Sequence, residues 1–138
     1  MRAFVLDVSA CMPWCCEDET TPASEEMLEW AMAGSELFVP SLWPWEIVNV
    51  IGVIVKRRRI TVNRAGEFLA QLAMLNFKID PAPALTDFPR LQALADSRGL
   101  TAYDVAYLDM AKRLALPLAT RDQDLRKAAE VESVEVLG

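Results

Sequence analysis

Short apolar runs alternate with longer segments of helical periodicity along the chain, and this alternation limits the possible folds more than any other feature. Strands separated by helices, with few hairpin signals between them, are typical of parallel βαβ connections. The sequence therefore predicts an α/β fold in which α-helices sandwich a parallel β-sheet. The predicted strands cover residues 3–6, 37–40, 77–79, 116–120 and 134–137.

The segments between these strands carry apolar residues at helical spacing, and several begin or end at residues typical of helix boundaries. They predict helices over residues 9–19, 22–34, 41–59, 61–75, 84–97, 101–114 and 122–130. With 138 residues, 53% of them hydrophobic and 25% charged, the chain has the size and composition of one globular domain spanning residues 1–138.

Neither a membrane span nor a secretory signal is visible in the sequence. The longest apolar run, residues 47–55, is far shorter than the roughly 20 residues that cross a bilayer. The N-terminus has no long apolar stretch before its first acidic residue. We therefore expect a cytoplasmic protein without membrane association.

The chain contains no histidine, which excludes several kinds of catalytic and metal site. Ser-His-Asp and Cys-His catalysis, His-based cleavage of RNA and imidazole metal sites all need that side chain. Without histidine, the three cysteines (Cys11, Cys15 and Cys16) cannot form a tetrahedral zinc site, and we interpret them as small buried hydrophobic residues rather than a redox site. Hydrolytic chemistry must therefore use carboxylates, Lys, Tyr or a metal held by oxygen ligands.

Two acidic residues stand where predicted strands of the sheet end. Asp7 directly follows the first strand, and Asp122 lies two residues after the fourth. Ligands of open α/β sheets bind beyond the carboxyl ends of the strands. An ionised carboxylate at the end of a buried strand is costly without a partner, which makes Asp7 the strongest candidate. Ser9 is placed either to bond to Asp7 or to cap the next helix.

Two further acids lie among apolar residues in predicted helices. Glu46 is the only ionisable residue from position 42 to 55, and Asn49 shares its helix face. The alternative is that both residues are purely structural: the helix dipole favours Glu46 near the start of the helix, and Asn49 bonds to a neighbouring backbone group. Asp104 shares a face with apolar side chains, whereas Asp109 is expected to form an ordinary surface ion pair with basic residues three and four positions later.

Helix capping is the alternative explanation for two of these acids. Thr101 is better placed than Asp104 to cap the helix that begins there, which leaves Asp104 for another role. Thr120 and Gln123 predict a capping box that leaves Asp122 free. A capping role for Asp122 itself would also explain its position.

Convergence of the four carboxylates would require a compensating positive charge. Two charges about 5 Å apart repel by roughly 3 kcal/mol at an effective dielectric constant of about 20, and several such pairs would rival the free energy of unfolding of a domain. Either some of the acids are protonated or a divalent cation neutralises them. An oxygen-ligand cluster without histidine suits Mg²⁺ or Mn²⁺ better than Zn²⁺.

Four segments carry a resemblance to a known family. They read FVLDVSA around Asp7, WEIVNV around Glu46, LTAYDVAYLDMAKRL around Asp104 and LATRDQDL around Asp122. In their order and spacing, and over essentially the whole chain, they resemble PIN-domain ribonucleases, specifically the VapC toxins of bacterial toxin–antitoxin pairs.

The resemblance implies a parallel sheet between helices, a Mg²⁺ or Mn²⁺ site and endonucleolytic cleavage of RNA. It also implies a homodimer and inhibition by a small antitoxin protein that covers the site. The four acids correspond to the acidic quartet of the family: Asp7 and Asp104 as direct ligands, Asp122 as a ligand directly or through water, and Glu46 as a ligand or an orienter of water. The supporting polar residues are Ser9, Asn49, Thr101 and Thr120.

A basic run and two tryptophans leave choices open. The formal net charge of −6 argues against a general nucleic-acid binder, but one consecutive basic run either contacts RNA phosphates or forms a solvated helix end. Trp43 and Trp45 belong to the core by default, and a dimer or antitoxin interface is their alternative role. The basic run consists of Lys56, Arg57, Arg58 and Arg59.

Two other functions compete with the nuclease. A catalytically inactive PIN-like domain would keep the fold and only bind a protein or RNA. A receiver-like phosphoacceptor module also clusters acids at strand ends, but it needs an early pair of acids and a lysine after a late strand. Asp7 has only Val8 beside it, and Arg121 follows the fourth predicted strand, so the sequence fits this module poorly.

Overall fold

The computed structural model describes residues 2–138, and over that range five parallel strands form one sheet. Their spatial order is β3-β2-β1-β4-β5, so the chain builds from β1 toward one edge and then crosses to the other. The predicted parallel α/β fold is confirmed. The strands are β1 (Phe4–Leu6), β2 (Leu37–Pro40), β3 (Phe77–Asp80), β4 (Leu118–Ala119) and β5 (Val136–Leu137).

Helices flank this sheet, and three of them begin where the sequence predicts a threonine at the helix start. The side chains of Thr21, Thr61 and Thr101 accept a backbone hydrogen bond at the first turns of α2, α4 and α6, respectively. The helices in the described range are α1 (Val8–Cys11), α2 (Pro22–Met32), α3 (Trp43–Lys56), α4 (Val62–Ala73), α5 (Phe88–Arg98), α6 (Ala102–Leu114) and α7 (Gln123–Val131).

Strand β1 forms the centre of the core. Val5 pairs with Phe38 of β2 on one side and Leu118 of β4 on the other. All three residues of β1 are fully buried, which explains why the strand reads as a continuous apolar run rather than an alternating one. Helix α6 lies against β1 and β2, and so brings its first turn close to the carboxyl ends of both strands.

The predicted helix over residues 9–19 is wrong in its extent. Helix α1 ends at Cys11, and two separate 3₁₀ turns follow, Met12–Trp14 and Glu17–Glu19. Pro13 lacks the backbone N–H that a continuous α-helix would need and forces the change to a tighter turn. The cysteines are buried as predicted, and burial raises the pKa of the Cys16 thiol to about 11.

Helix α3 is shorter at both ends than the predicted 41–59. It begins at Trp43 because Pro44 is tolerated only in the first turn. At the other end, Arg58 adopts a left-handed conformation with φ of 57°, and the N–H of Arg59 donates to the carbonyl of Ile54 at 2.9 Å. This hydrogen bond ends the helix before most of the basic run.

Helix α5 does not bury the apolar stripe that its sequence predicts. The predicted start at residue 84 is wrong, because Leu85–Asp87 forms a separate 3₁₀ turn before the helix. No residue of α5 is fully buried, and Leu85 in that turn and Phe88 at the helix start are 78% and 51% exposed. The helix instead packs on α6, where Arg90 bonds to Asp109. Asp109 does pair with Arg113 as predicted, at 2.8 Å, but its position on the surface is wrong because Arg90 covers it from α5 and leaves it 7% exposed.

The two tryptophans of α3 have different environments. Trp43 is 5% exposed and packs against Phe77 with ring centroids 4.8 Å apart, so the predicted interface role is wrong for this residue and core packing is correct. Trp45 is 81% exposed. Across residues 2–138, none of the helices combines the length and the apolar character needed to cross a bilayer.

Candidate functional site

The four predicted acids lie at the same end of the sheet. Asp7 directly follows β1, and Asp122 stands between β4 and α7. Glu46 is in the first turn of α3, which follows β2, and Asp104 is in the first turn of α6. Because β2, β1 and β4 are neighbours and parallel, their carboxyl ends meet at one edge, where a ligand site is expected.

Two hydroxyls hold the carboxylate of Asp7. Ser9 Oγ and Thr120 Oγ1 each donate to Asp7 Oδ2 at 2.7 Å. The same hydroxyls accept backbone hydrogen bonds from the loop after β4: Ser9 Oγ from the N–H of Arg121 at 2.8 Å, and Thr120 Oγ1 from the N–H of Asp122 at 3.1 Å. Of the two roles considered for Ser9, the side chain bonds to Asp7 and does not cap a helix. The network ties the end of β1 to the loop that carries Asp122.

Asp122 caps α7, contrary to the predicted capping box. Its Oδ1 accepts the N–H of Leu125 at 2.9 Å. The Thr120 hydroxyl cannot form the predicted box with Gln123 because it is directed to Asp7. Asp122 is exposed, and its Oδ2 has no hydrogen-bond partner within the described part of the chain.

Glu46 and Asp104 are half-buried, and their surroundings oppose ionisation. Burial raises the pKa of Glu46, the hydrogen bond from Tyr107 lowers it, and the negative charges of Asp7 and Asp104 raise it further, with a net increase. The pKa of Asp104 is also raised, first by burial and then by the charges of Asp122 and Asp7. Asp104 therefore interacts with Asp7 and Asp122, and Glu46 interacts with Asp7 and Asp104.

No basic side chain of the described residues forms an ion pair with the four acids. None of the ion pairs among residues 2–138 includes any of the four acids. Arg121, the basic residue beside Asp122 in sequence, instead donates to Glu19 at 2.7 Å. Four acidic side chains thus lie at one end of the sheet without a basic partner among the described residues, which is costly unless another positive charge is present.

A tighter acidic group lies elsewhere and is already neutralised. Within residues 2–138, only Cys16, Asp18 and Glu19 bring three potential ligand atoms within 4.8 Å of one another, so the predicted quartet is more widely spaced than this. Asp18 and Glu19 both bond to Arg59, and Glu19 also bonds to Arg121. This group is therefore an ion-pair network and does not correspond to the predicted site.

The other predicted supporting residues have mixed environments. Thr101 caps α6 by accepting the N–H of Asp104 at 3.2 Å, as predicted. Asn49 is exposed, and no hydrogen bond of its side chain is found in the described range. In the basic run, Arg59 is committed to its ion pairs at Asp18 and Glu19, whereas the preceding three residues are exposed.

Tyr107 is the site residue that the sequence did not reveal. Its hydroxyl donates to Glu46 Oε1 at 3.0 Å, although its side chain is only 1% exposed. Burial, followed by the charges of Asp7 and Glu46, raises the pKa of Tyr107 far above its usual value, so the hydroxyl stays a donor. The sequence indicated only an apolar face here. The available signal was a hydroxyl-bearing residue one helical turn after Asp104.

Comparisons with solved structures bear on the fold of the chain. The structure is similar to the crystal structure of PAE2754 from Pyrobaculum aerophilum, with a TM-score of 0.72 and 21% identity, covering 98% of this chain and 83% of that one. It is also similar to the crystal structure of FitAcB from Neisseria gonorrhoeae, with a TM-score of 0.63 and 14% identity, covering 98% of this chain and 96% of that one. These likenesses show the fold.

Sequence comparison identifies the family. No curated protein matches the chain. The sequence model of the PIN domain, in contrast, matches residues 4–131, a range that includes all four acids and every strand but β5. Agreement between this match and the parallel sheet leads to one conclusion: the chain belongs to the PIN domain family.

Proposed function

We propose that this protein is a Mg²⁺- or Mn²⁺-dependent endoribonuclease and the VapC-type toxin of a type II toxin–antitoxin pair. The observation that carries the proposal is the set of four acids, Asp7, Glu46, Asp104 and Asp122, that lie at one end of the sheet without a basic partner in the described chain. PIN domains are generally metal-dependent nucleases. The sequence resemblance to VapC toxins supplies the choice of RNA and of the biological pair.

The residues at this site fit a hard divalent cation. The donors are carboxylate oxygens, and the chain has no histidine to favour zinc. Burial and then repulsion from neighbouring acids raise the pKa of Glu46 and Asp104, and a cation would offset that repulsion. Asp7 and Asp104 would bind the ion directly, Asp122 directly or through water, and Glu46 as a ligand or by orienting water.

The proposed reaction is hydrolysis of an RNA phosphodiester bond. A bound divalent ion supplies positive charge against the charge that grows on the phosphate and lowers the pKa of water. Water attacks phosphorus in line, the bond to the 3′ oxygen breaks, and that oxygen leaves as a hydroxyl once it gains a proton. Ser9 and Thr120 fix Asp7 through its Oδ2, while Tyr107 fixes Glu46 through its Oε1. Glu46 Oε2 is then available to accept a proton from the attacking water.

Replacement of Asp7 by Asn tests the proposed activity. The change keeps the shape and one acceptor oxygen for the two hydroxyls but removes the charge, so Mg²⁺-dependent cleavage of end-labelled RNA should fall at least about 100-fold while the fold survives. The matched control is Asp96→Asn, an exposed acid of α5, which should cleave as the wild type does. Undiminished cleavage by Asp7→Asn, in preparations free of contaminating nuclease, would contradict the proposal.

Two partners follow from the same resemblance. A second copy of the chain is the proposed partner of the outer face of α3, where Trp45 and Val48 are 81% and 59% exposed. A segment of a small antitoxin is the proposed occupant of a cleft of about 710 Å³ between α5 and α6, whose lining includes Phe88 and Tyr103. Aromatic residues are enriched in such interfaces.

RNA contacts are proposed for the basic run at the end of α3. Lys56, Arg57 and Arg58 are exposed, and no salt bridge involves them in the described range. Arg59 belongs to the run but is held by Asp18 and Glu19. We therefore assign the phosphate contacts chiefly to the first three residues, whose replacement should weaken RNA binding more at low salt than at high salt.

A further inference from the structure

Tyr107 is buried in the core but places its one polar atom at the acidic site. Its side chain is 1% exposed, and its hydroxyl bonds to Glu46 Oε1 at 3.0 Å. The only other tyrosine of the chain, Tyr103, lies one turn earlier on the same helix and is 68% exposed. The two tyrosines thus present the same chemical group in opposite environments.

The hydrogen bond joins the two helices that carry two of the acids. Tyr107 follows Asp104 by three positions on α6, so both side chains lie on one face, whereas Glu46 belongs to α3. A buried tyrosine hydroxyl needs an acceptor, and any core carbonyl would satisfy that need. Here the acceptor is a carboxylate of the site itself.

Glu46 needs such a restraint because its side chain makes no other hydrogen bond and no ion pair with the described residues. Its three side-chain torsions are costly to order, and repulsion from Asp7 and Asp104 favours conformations that turn toward solvent. A neutral donor fixed in the core opposes that repulsion without introducing a charge. It occupies one carboxylate oxygen, Oε1, and leaves Oε2 without a hydrogen bond from the described residues.

We propose that Tyr107 is a positioning residue of the cation site, whose hydroxyl holds the Glu46 carboxylate on the side of the site where Asp7 and Asp104 lie, with Oε2 free to act on a bound cation directly or through water. This inference rests on the proposed metal-dependent function. Outer partners of metal ligands typically change metal affinity by about 10- to 100-fold when they are removed. A tyrosine that merely packs in the core would leave metal affinity unchanged.

The test is a titration of metal-free protein with Mn²⁺, followed by thermal denaturation. A ligand that binds only the native state raises the melting temperature according to its affinity. Tyr107→Phe removes one oxygen and keeps the ring, and we expect it to bind Mn²⁺ about tenfold more weakly than the wild type. In protein prepared without an antitoxin, Tyr103→Phe, which removes an exposed hydroxyl from the same helix and outside the acidic site, should bind Mn²⁺ as the wild type does.

A double-mutant cycle separates positioning from a general loss of stability. Glu46→Gln should weaken Mn²⁺ binding by itself, and adding Tyr107→Phe to it should weaken binding no further, because the hydroxyl acts only through that carboxylate. Cleavage gives a second readout: excess Mn²⁺ should restore the kcat of Tyr107→Phe, with the KM for RNA unchanged. If Tyr107→Phe alone does not fold, the double variant can be compared with Glu46→Gln instead. Gln removes one repelling charge and so favours folding of the double variant.

The outcomes distinguish this inference from the proposed function. If Mn²⁺ does not raise the melting temperature of the wild type, both the proposed function and the role of Tyr107 are wrong. If the wild type binds Mn²⁺ and Tyr107→Phe binds it equally well, only the role of Tyr107 is overturned. Additive losses in the double variant would likewise overturn it, because they would show that the hydroxyl acts independently of Glu46.

Discussion

At the scale of single residues, the site combines a carboxylate that receives two short hydrogen bonds with two carboxylates whose burial and neighbours oppose ionisation. Asp7 is 9% exposed, yet two hydroxyls donate to it at 2.7 Å, a distance typical of hydrogen bonds to a charged acceptor. For Asp104, burial and then the charges of Asp122 and Asp7 raise the pKa, and the Thr101 side chain only partly opposes that increase. The unfavourable charge of the metal-free site is therefore concentrated on Asp104 and Glu46.

Asp104→Asn should accordingly stabilise the metal-free protein. An acid whose folded-state pKa is raised contributes stability below its unfolded-state pKa and loses it as the pH rises through the folded-state pKa. At pH 7 the ionised Asp104 thus disfavours folding, and Asn should increase the free energy of unfolding in EDTA by about 1 kcal/mol. The capping bond from its backbone N–H to Thr101 is unaffected.

Urea denaturation in EDTA measures the stability of the metal-free protein, and denaturation in Mn²⁺ measures the additional stability that the ion gives. The variant should gain stability in EDTA and lose most of the additional stability that Mn²⁺ gives the wild type. Asp96→Asn, an exposed acid outside the site, should change neither value. A destabilised Asp104→Asn in EDTA would mean that repulsion among the four acids is negligible.

At the scale of secondary-structure elements, sequence patterns predicted the type and order of the elements but not how side chains share partners across them. Thr101 was predicted as a cap because that choice depends on local spacing. The predicted capping box of Thr120 and Gln123 is wrong, and Asp122 caps the helix instead, because the Thr120 hydroxyl bonds to Asp7, more than a hundred positions distant in the sequence. The burial of Asp109 by Arg90 of α5 has the same non-local origin.

An ion-pair cluster that joins three helices should make stability depend on acid pH. Glu132, at the end of α7, bonds to Lys112 of α6 and Arg98 of α5, and these partners hold its pKa below the usual value. A lowered folded-state pKa contributes stability above the unfolded-state pKa, about 4.3, and that contribution is lost as the pH falls through the folded-state value. Glu132→Gln should therefore be less stable at pH 7, by under about 1 kcal/mol.

Urea unfolding at pH 7 and at about pH 3 gives the measurement, with the difference from wild type shrinking at the lower pH. Glu130→Gln is the matched control, because Glu130 is an exposed acid of the same helix and no salt bridge of the described residues includes it. If the free energy of unfolding of Glu132→Gln is below that of the wild type by the same amount at both pH values, the loss comes from packing rather than from charge.

At the scale of the whole molecule, the site and the apolar surface of α3 arise from the same helix. Glu46 lies on the side of α3 that meets Tyr107, whereas Trp45 and Val48 are exposed. The sequence could not distinguish Trp43 from Trp45, because two aromatic residues so close together differ only in the direction that the helix gives them. Burial of Trp43 against Phe77 leaves Trp45 without a core partner.

Trp45→Arg should convert the proposed homodimer into a monomer. At 81% exposure, Trp45 contributes little to the core, so its replacement should leave the melting temperature of the isolated fold nearly unchanged. An arginine on each copy, placed at a symmetric interface, would meet its own equivalent or lose its hydration, and either effect opposes association. Light scattering coupled to size exclusion gives the mass directly.

Leu85→Arg, a charge placed at a 78% exposed apolar residue outside α3, should leave the dimer intact. A wild-type protein that is monomeric at high concentration, or a dimer that survives Trp45→Arg but dissociates with Leu85→Arg, would remove the outer face of α3 as the dimer surface.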